Sequence, residues 1–284
     1  MRSPPFMDLS MTPSLMRHIS ACRNVELPGR YRPLRLGSAE IGWVAPEAAS
    51  LLLAHVARGE GSAVVLENAA SLARACDLVM ARGLCAARGE AFDVRETPGG
   101  PALAQLDRGA VPVFGVLAQG VHLNGLVQRG DGLHLWVARR ARDKQLDPGK
   151  LDHVAAGGAP AGMPLAEVLA KEAEEEAGLP STLIASARRV ATLSYVMSRR
   201  EGLRRDVAAC YDLYLPESVQ PRALDGEVES FELWPVEAVV DRVRRTDDFK
   251  FNVNLVLIDL FLRLGLVPDA EAAELRAALY QPGW

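Results

Sequence analysis

The feature that most constrains this chain is a run of acids that continues the apolar stripe of a single helix. Gly157-Gly158-Ala159-Pro160-Ala161-Gly162-Met163-Pro164 leads into a helix expected over 165–177, and Gly178-Leu179 closes it. At about 100° per residue, Leu165, Val168 and Leu169 fall in one narrow arc, the stripe to be buried. Glu172, Glu175 and Glu176 follow in the same arc one to two turns later. Glu167 and Glu174 point to the sides and back and read as a solvated face. Turned inward, two carboxylates about 6 Å apart repel by roughly 2–3 kcal/mol at an effective dielectric of about 20. Their place in the last turns also opposes the helix dipole. A divalent cation removes both penalties, and carboxylate oxygens suit magnesium or manganese, with water and substrate phosphate completing the shell. The spacing therefore predicts a metal site on Glu172, Glu175 and Glu176.

Length supplies the surroundings of that helix. A chain of 284 residues, 49% hydrophobic, has the size of about two globular domains. Its 32 Lys and Arg against 36 Asp and Glu leave a net charge of −4, which argues against a general nucleic-acid binder. The opening residues lack the apolar run of a signal peptide, and residues 1–13 are expected to be poorly ordered. The apolar stretch 253–262 is broken by Asn254 and Asp259 and is too short to span a bilayer, so no membrane association is expected. Cys22, Cys76, Cys85 and Cys210 form no CxxC pair and read as reduced core residues of a cytoplasmic protein.

Periodicity predicts a first α/β unit over 14–118, with helices at 14–22, 46–57 and 71–87 and strands at 41–44, 92–95 and 111–117. A second unit, 119–267, opens with strands 121–128 and 133–138 joined by the hairpin turn Arg129-Gly130-Asp131-Gly132. A short strand at 153–156 precedes the glutamate helix, and strands 189–197, 206–215 and 231–234 follow it. Helices at 236–244 and 252–264 come next, and a last helix at 270–280 lies in a C-terminal segment, 268–284. Strands and helices without strict alternation predict a mixed α+β or α/β sandwich.

The segment 157–179 resembles the Nudix box, in which Gly, five residues, Glu and seven residues precede Arg-Glu-apolar-x-Glu-Glu-x-Gly-apolar. Gly157, Glu172, Ala173, Glu175, Glu176, Gly178 and Leu179 match it. Met163 stands where the pattern has Glu, and Lys171 where it has Arg. In the family those two positions pair with each other and are mainly structural, so the departure leaves the three family metal ligands in place. The segments Gly120-Val121-His122-Leu123-Asn124-Gly125, Pro148-Gly149-Lys150-Leu151-Asp152, Gly202-Leu203-Arg204-Arg205-Asp206 and 225–231 are further similar to a Nudix subfamily fused or related to fungal thiamine pyrophosphokinases. That subfamily carries an extra N-terminal domain. The resemblance implies an α/β/α Nudix sandwich with a mixed sheet, preceded by a small α/β domain. It also implies a magnesium- or manganese-dependent diphosphatase acting on a small-molecule diphosphate, such as an oxidised or damaged form of thiamine diphosphate.

Around this centre, Glu227 and Glu229 share a strand face, and one of them would add a further ligand or base beside Glu175 and Glu176; spacing does not choose between them, and Glu229 is taken as the catalytic candidate. Arg139, Arg140, Lys144, Lys150, Arg204 and Arg205 offer cations to a diphosphate, and His122 and Asn124 share one strand face toward the pocket. Arg139 and Arg140 point to opposite faces, so at most one enters the cleft directly. Three readings compete: hydrolysis of ADP-ribose or a sugar nucleotide, a ligand-binding module without turnover, and an isopentenyl-diphosphate-isomerase-like enzyme. The last needs a site cysteine, and none lies between Cys85 and Cys210.

Overall fold

The computed structural model describes residues 14–283, so the expectation for residues 1–13 falls outside them. The chain begins with α1 (Met16–Cys22), strands β1 (Arg32–Leu36) and β2 (Ala39–Val44), then α2 (Pro46–His55). Strands β3 (Arg58–Glu60) and β4 (Ala63–Leu66) precede α3 (Ala69–Ala81), and β5 (Ala91–Val94) pairs with β6 (Ala104–Asp107). The first sheet has the order β2-β1-β4-β3, with β1 and β4 parallel. α3 is started by a capping box, the Asn68 side chain accepting from Ser71 N–H while the Ser71 hydroxyl accepts from Asn68 N–H.

A second sheet follows. After α4 (Val111–Phe114) come β7 (Leu117–Arg129), β8 (Gly132–Arg140), β9 (Leu151–Asp152) and β10 (Ala155–Gly158). The glutamate helix is α5 (Leu165–Ala177), trailed by α6 (Ser181–Ile184). Then come β11 (Arg188–Arg199), β12 (Gly202–Tyr214) and β13 (Val228–Pro235), and the helices α7 (Val236–Arg245), α8 (Val253–Arg263) and α9 (Asp269–Leu279). The sheet order is β11-β12-β7-β8-β13, with β10 on β7 and β9 on β8; β12 runs parallel to β7 and the other pairs are antiparallel.

Two apolar layers make this a sandwich. Val121, Leu123, Val127 and Trp136 pack with Val168, Leu169, Ala173 and Ala177 of α5. Their strand neighbours Leu126, Leu135 and Val137 face the other way, onto α7, α8 and α9. This period-2 alternation places α5 and α8 on opposite faces of one sheet. A mixed α+β fold with mixed sheets is therefore observed, as expected.

Three local expectations change. Residues 111–117 do not form one strand: Pro112 sits in the first turn of α4, and Gly115, at φ 53°, ends that helix before β7 starts at Leu117. Residues 14–22, grouped by sequence with the first unit, instead bury Leu15, Ile19 and Cys22 in the core of α8 and α9. The last helix is likewise part of that core, through Ala272, Leu275 and Leu279. The first unit proper has its own core, from Leu34 to Val116. Among the described residues no helix is long and apolar enough to cross a membrane.

Candidate active site

Helix α5 begins after Pro164 and ends on Gly178, which adopts the left-handed conformation (φ 63°) that L side chains resist. Its inward face is held against β10 by two of the three acids. Glu176, buried, accepts a hydrogen bond from Ala156 N–H at 2.9 Å. Glu172 lies against Gly157 so closely that a Cβ there would stand 2.2 Å from the Glu172 carboxyl carbon. The glycine that opens the motif thus leaves the room that the Glu172 side chain occupies, and a larger residue there would push that carboxylate aside.

Electrostatics separates the three acids. Burial, then the nearby Asp152 carboxylate, pushes the Glu176 carboxyl up to about 8. Burial likewise raises Glu172, Lys171 offsetting part of the effect and Glu175 adding to it. Glu175 departs from the inward placement expected of it: it is exposed, with Lys171 Nζ at 2.7 Å from its carboxylate and 3.5 Å from that of Glu172. The helix turns only part of the arc inward, because Ala173 and Ala177 carry the stripe forward beside Glu176. Among the described residues no three His, Cys, Asp or Glu side chains already converge as a metal cage. The donor set still fits a hard divalent cation: hard oxygen donors on successive turns, two of them buried or half-buried, and a third on the surface beside them.

The loop acid nearest this helix is Glu227. Its charge acts on Glu172, it is ion-paired with Lys144, and it faces Arg108. Burial opposes its ionisation, but the hydrogen bond and charge of Lys144 outweigh it and hold the carboxyl below its usual range. Glu229 instead accepts from Arg142 N–H at 3.2 Å. The β13–β8 register shift between Val228 and Ser230 breaks the alternation across these two acids, which only pairing reveals.

The basic candidates divide similarly. Arg140 is buried and donates to Asp152 at 2.7 Å and to Leu146 O at 3.1 Å. Lys250 stands 3.6 Å from the same Asp152. Burial opposes ionisation of Asp152, but Lys250 and Arg140 prevail and hold its carboxyl below the usual range. Arg139 lies on the other sheet face, donating to Gly149 O at 3.1 Å and lining a cleft of about 490 Å³ with Lys150, Trp234 and Arg242. Arg204 pairs with Asp206 at 2.8 Å, and Arg205, buried, donates to Gly115 O at 3.3 Å. His122 is buried edge-on to His153, with the Asn252 amide 3.4 Å from its Nε2, and Asn124 donates to Asp212 at 2.9 Å. Arg139 thus lies away from the acids, whereas Arg204 and His122 act on Lys250 and Asp152, the groups that in turn act on Glu176.

Sequence reasoning gave no role to Arg108, Phe92, Asp152 or Lys250. Asp152 closes the Pro148-Gly149-Lys150-Leu151-Asp152 segment, and that Pro-Gly-x-x-Asp context was the available signal. Arg108 and Phe92 come from the first unit, and nothing local marks them.

An α/β sandwich whose sheet is crossed by a glutamate-bearing helix is the class that fold and site define. No family model matches the chain. It is 43% identical over 180 residues to Nudix hydrolase 24, chloroplastic, of Arabidopsis thaliana, covering 63% of this chain and 49% of that protein. Nudix hydrolase 20, chloroplastic, of the same plant is 42% identical over 180 residues, covering 63% and 48%. Among solved structures, DR0079 of Deinococcus radiodurans has a TM-score of 0.47 and 20% identity, over 59% of this chain and 97% of that one. The curated relatives support the Nudix hydrolase family, and the chain spans about half of their length. The cytoplasmic expectation is corrected by the same finding: both plant relatives are chloroplastic proteins, a location that cysteine usage does not register because it reads redox state, not compartment.

Proposed function

We propose that the chain is a magnesium- or manganese-dependent hydrolase of an organic diphosphate, with Glu172, Glu175 and Glu176 as the metal-holding acids. One observation carries the reading: α5 presents a buried acid pushed up to about 8 and a second raised acid against β10, with a third beside them. Charge left uncompensated in this way is what a cation site requires. A divalent cation there would polarise phosphate oxygens and stabilise the charge that develops in hydrolysis.

The chain's own groups supply the rest. Glu176 holds a proton near neutral pH while its charge stands alone, and becomes a proton acceptor for water once that charge is compensated. With a cation held there, Glu175 would complete the set and Lys171 would balance the helix surface. Lys144 and Arg108, both facing Glu227, offer donors to phosphate oxygens at the same edge, Arg in bidentate form and Lys as a point charge. Arg140 and Lys250 fix Asp152, which in turn acts on Glu176.

The finer reading is thiamine diphosphate or a damaged form of it; the segments at 120–125, 148–152, 202–206 and 225–231 support it. A magnesium-dependent phosphate-release screen with thiamine, nucleoside and sugar diphosphates side by side tests both levels. Turnover of the thiamine diphosphates at higher kcat/KM than ADP-ribose is expected. A preference for ADP-ribose would overturn the finer reading, and release from none of them would overturn the hydrolase.

A further inference from the structure

Two consecutive glycines join the acids to the first unit. Gly157 lies on Glu172, and a Cβ at Gly158 would stand 2.8 Å from Phe92 Cζ. Phe92 of β5 therefore packs on β10 at the residue after the one that receives Glu172, on the other face of the strand. The contact is fastened on both sides: Ala161 N–H donates to Ala91 O at 2.8 Å, and Gly162 N–H to the Asp93 carboxylate at 3.0 Å. Arg108 places its guanidinium carbon 5.5 Å from the Phe92 ring centroid. It also lies 3.9 Å from the Gly158 Cβ position, faces Glu227, and pairs with Glu90 at 2.8 Å.

Phe92, buried in the first unit's core, also contributes to the lining of a cleft of about 220 Å³ that Met163, Pro164 and Leu165 line as well. That volume accommodates a single planar ring system. The wall carries no free negative charge, since Asp93 is engaged by Arg95 at 2.7 Å and by Gly162 N–H. The family pattern puts a glutamate at the position of Met163; here a thioether stands there, and sulfur and aromatic faces favour a flat, polarisable partner.

We infer that Phe92 and Arg108 form a substrate clamp: Phe92, with Met163 lining the same cleft, takes a planar heteroaromatic ring, and Arg108 takes the phosphate next to it. This rests on the diphosphate reading of the adjacent acids and adds to it the residues that choose the organic group. Binding energy from a ring held at this junction distinguishes aromatic diphosphates from aliphatic ones, which the acids alone cannot do.

The test is calorimetric binding to the full chain with magnesium, using two probes that are not hydrolysed. One is the thiamine diphosphate analogue with a methylene bridge between its phosphorus atoms; the other is methylenediphosphonate, which has no ring. Phe92→Leu, which keeps apolar volume in the core, should weaken the ringed probe by about tenfold and leave the ringless one within about twofold. Arg108→Gln should weaken both. Met163→Glu, outside the core of the first unit, should repeat the selective loss and guard against a folding artefact at Phe92. Unchanged binding of the ringed probe to Phe92→Leu and Met163→Glu, or equal loss of both probes, would overturn the clamp. Failure of wild type to bind either probe would instead overturn the diphosphate reading, and the clamp with it.

Discussion

Helices α5 and α8 pack on opposite faces of one sheet, and each buries an acid, yet they treat it oppositely. On α8, Asp259 is fully buried and fully partnered: Arg263 lies at 2.8 Å and the Tyr280 hydroxyl donates at 2.6 Å. Arg263 also pairs with Asp212 at 2.6 Å, which accepts in turn from Asn124. On α5, Glu176 receives one backbone N–H and, among the described residues, no cation at ion-pair distance. A buried charge that serves the fold comes with its counter-charge. One that lacks it keeps its proton until a cation from outside the chain compensates its charge. The contrast separates scaffold from site more sharply than acidity does, since both helices carry acids.

The largest effect that could break this comparison is on turnover. Glu176→Gln and Glu175→Gln keep size but lose the charge and the proton-accepting oxygen, and each should lower kcat by on the order of 10²–10⁴-fold. The far-ultraviolet circular dichroism should stay that of wild type. Both variants within twofold of wild type, with magnesium still required, would return α5 to the status of a solvated acidic helix.

The reciprocal change on α8 should act on stability alone. Arg263→Met leaves Asp259 and Asp212 buried without their cation, and breaking such a set costs about 3 kcal/mol or more. Urea unfolding should show the loss, while the magnesium dependence of the remaining activity stays that of wild type. A variant as stable as wild type would mean that α8 tolerates unpaired charge too, and the contrast with α5 would lose its meaning.

The two faces were unequally legible. The bounds of α5 match the expected 165–177 because Pro164 and Gly178 frame an uninterrupted helical period. The α8 network was not foreseen: Asp212, Asp259 and Arg263 are brought together by the β12–α8 packing, and nothing local announces it. Residues 111–117 misled because Val and Phe favour strands, whereas Pro112 and Gly115 impose a helical turn. Strands β1, β3, β4 and β6 were missed: each has three to five residues, a short run in which alternation registers poorly. At the α5 face, the order of the three acids was legible from spacing, but the exposure of Glu175, the pairing of Glu227 with Lys144 and the approach of Arg108 depend on packing between distant segments.

A pH series sharpens the comparison, because the two faces have opposite slopes. Glu176 is raised from 4.5 to about 8 in the folded chain, so the stability it contributes is full below its unfolded value and is lost as pH climbs through about 8. On the other face burial lowers His153 from 6.5 to about 4, so its contribution is full above 6.5 and is lost as pH falls toward 4. Metal-free Tm should therefore decline on both sides of a maximum in the mildly acidic range. Glu176→Gln should flatten the alkaline limb and leave the acid limb; His153→Gln should do the reverse. A single variant that flattens both limbs would show the two faces to be one electrostatic unit.

The smallest effect concerns Lys171, which holds Glu175 and Glu172 together without metal. It sits where the family pattern has an arginine, but it spends its charge on the acids of its own helix. As an exposed i,i+4 pair its bond to Glu175 contributes only about 0.2–0.5 kcal/mol. Lys171→Met should therefore lower the metal-free Tm slightly, by removing the cation paired with Glu172 and Glu175. Magnesium should raise the Tm of this variant more than that of wild type, because the ion then relieves a larger repulsion and displaces no lysine. The difference between the two magnesium-induced shifts is the quantity to measure, since it cancels the general cost of the substitution. A smaller shift in the variant would mean that Lys171 helps to hold the cation site rather than occupying its place, and α5 would then resemble α8 in carrying its own counter-charge.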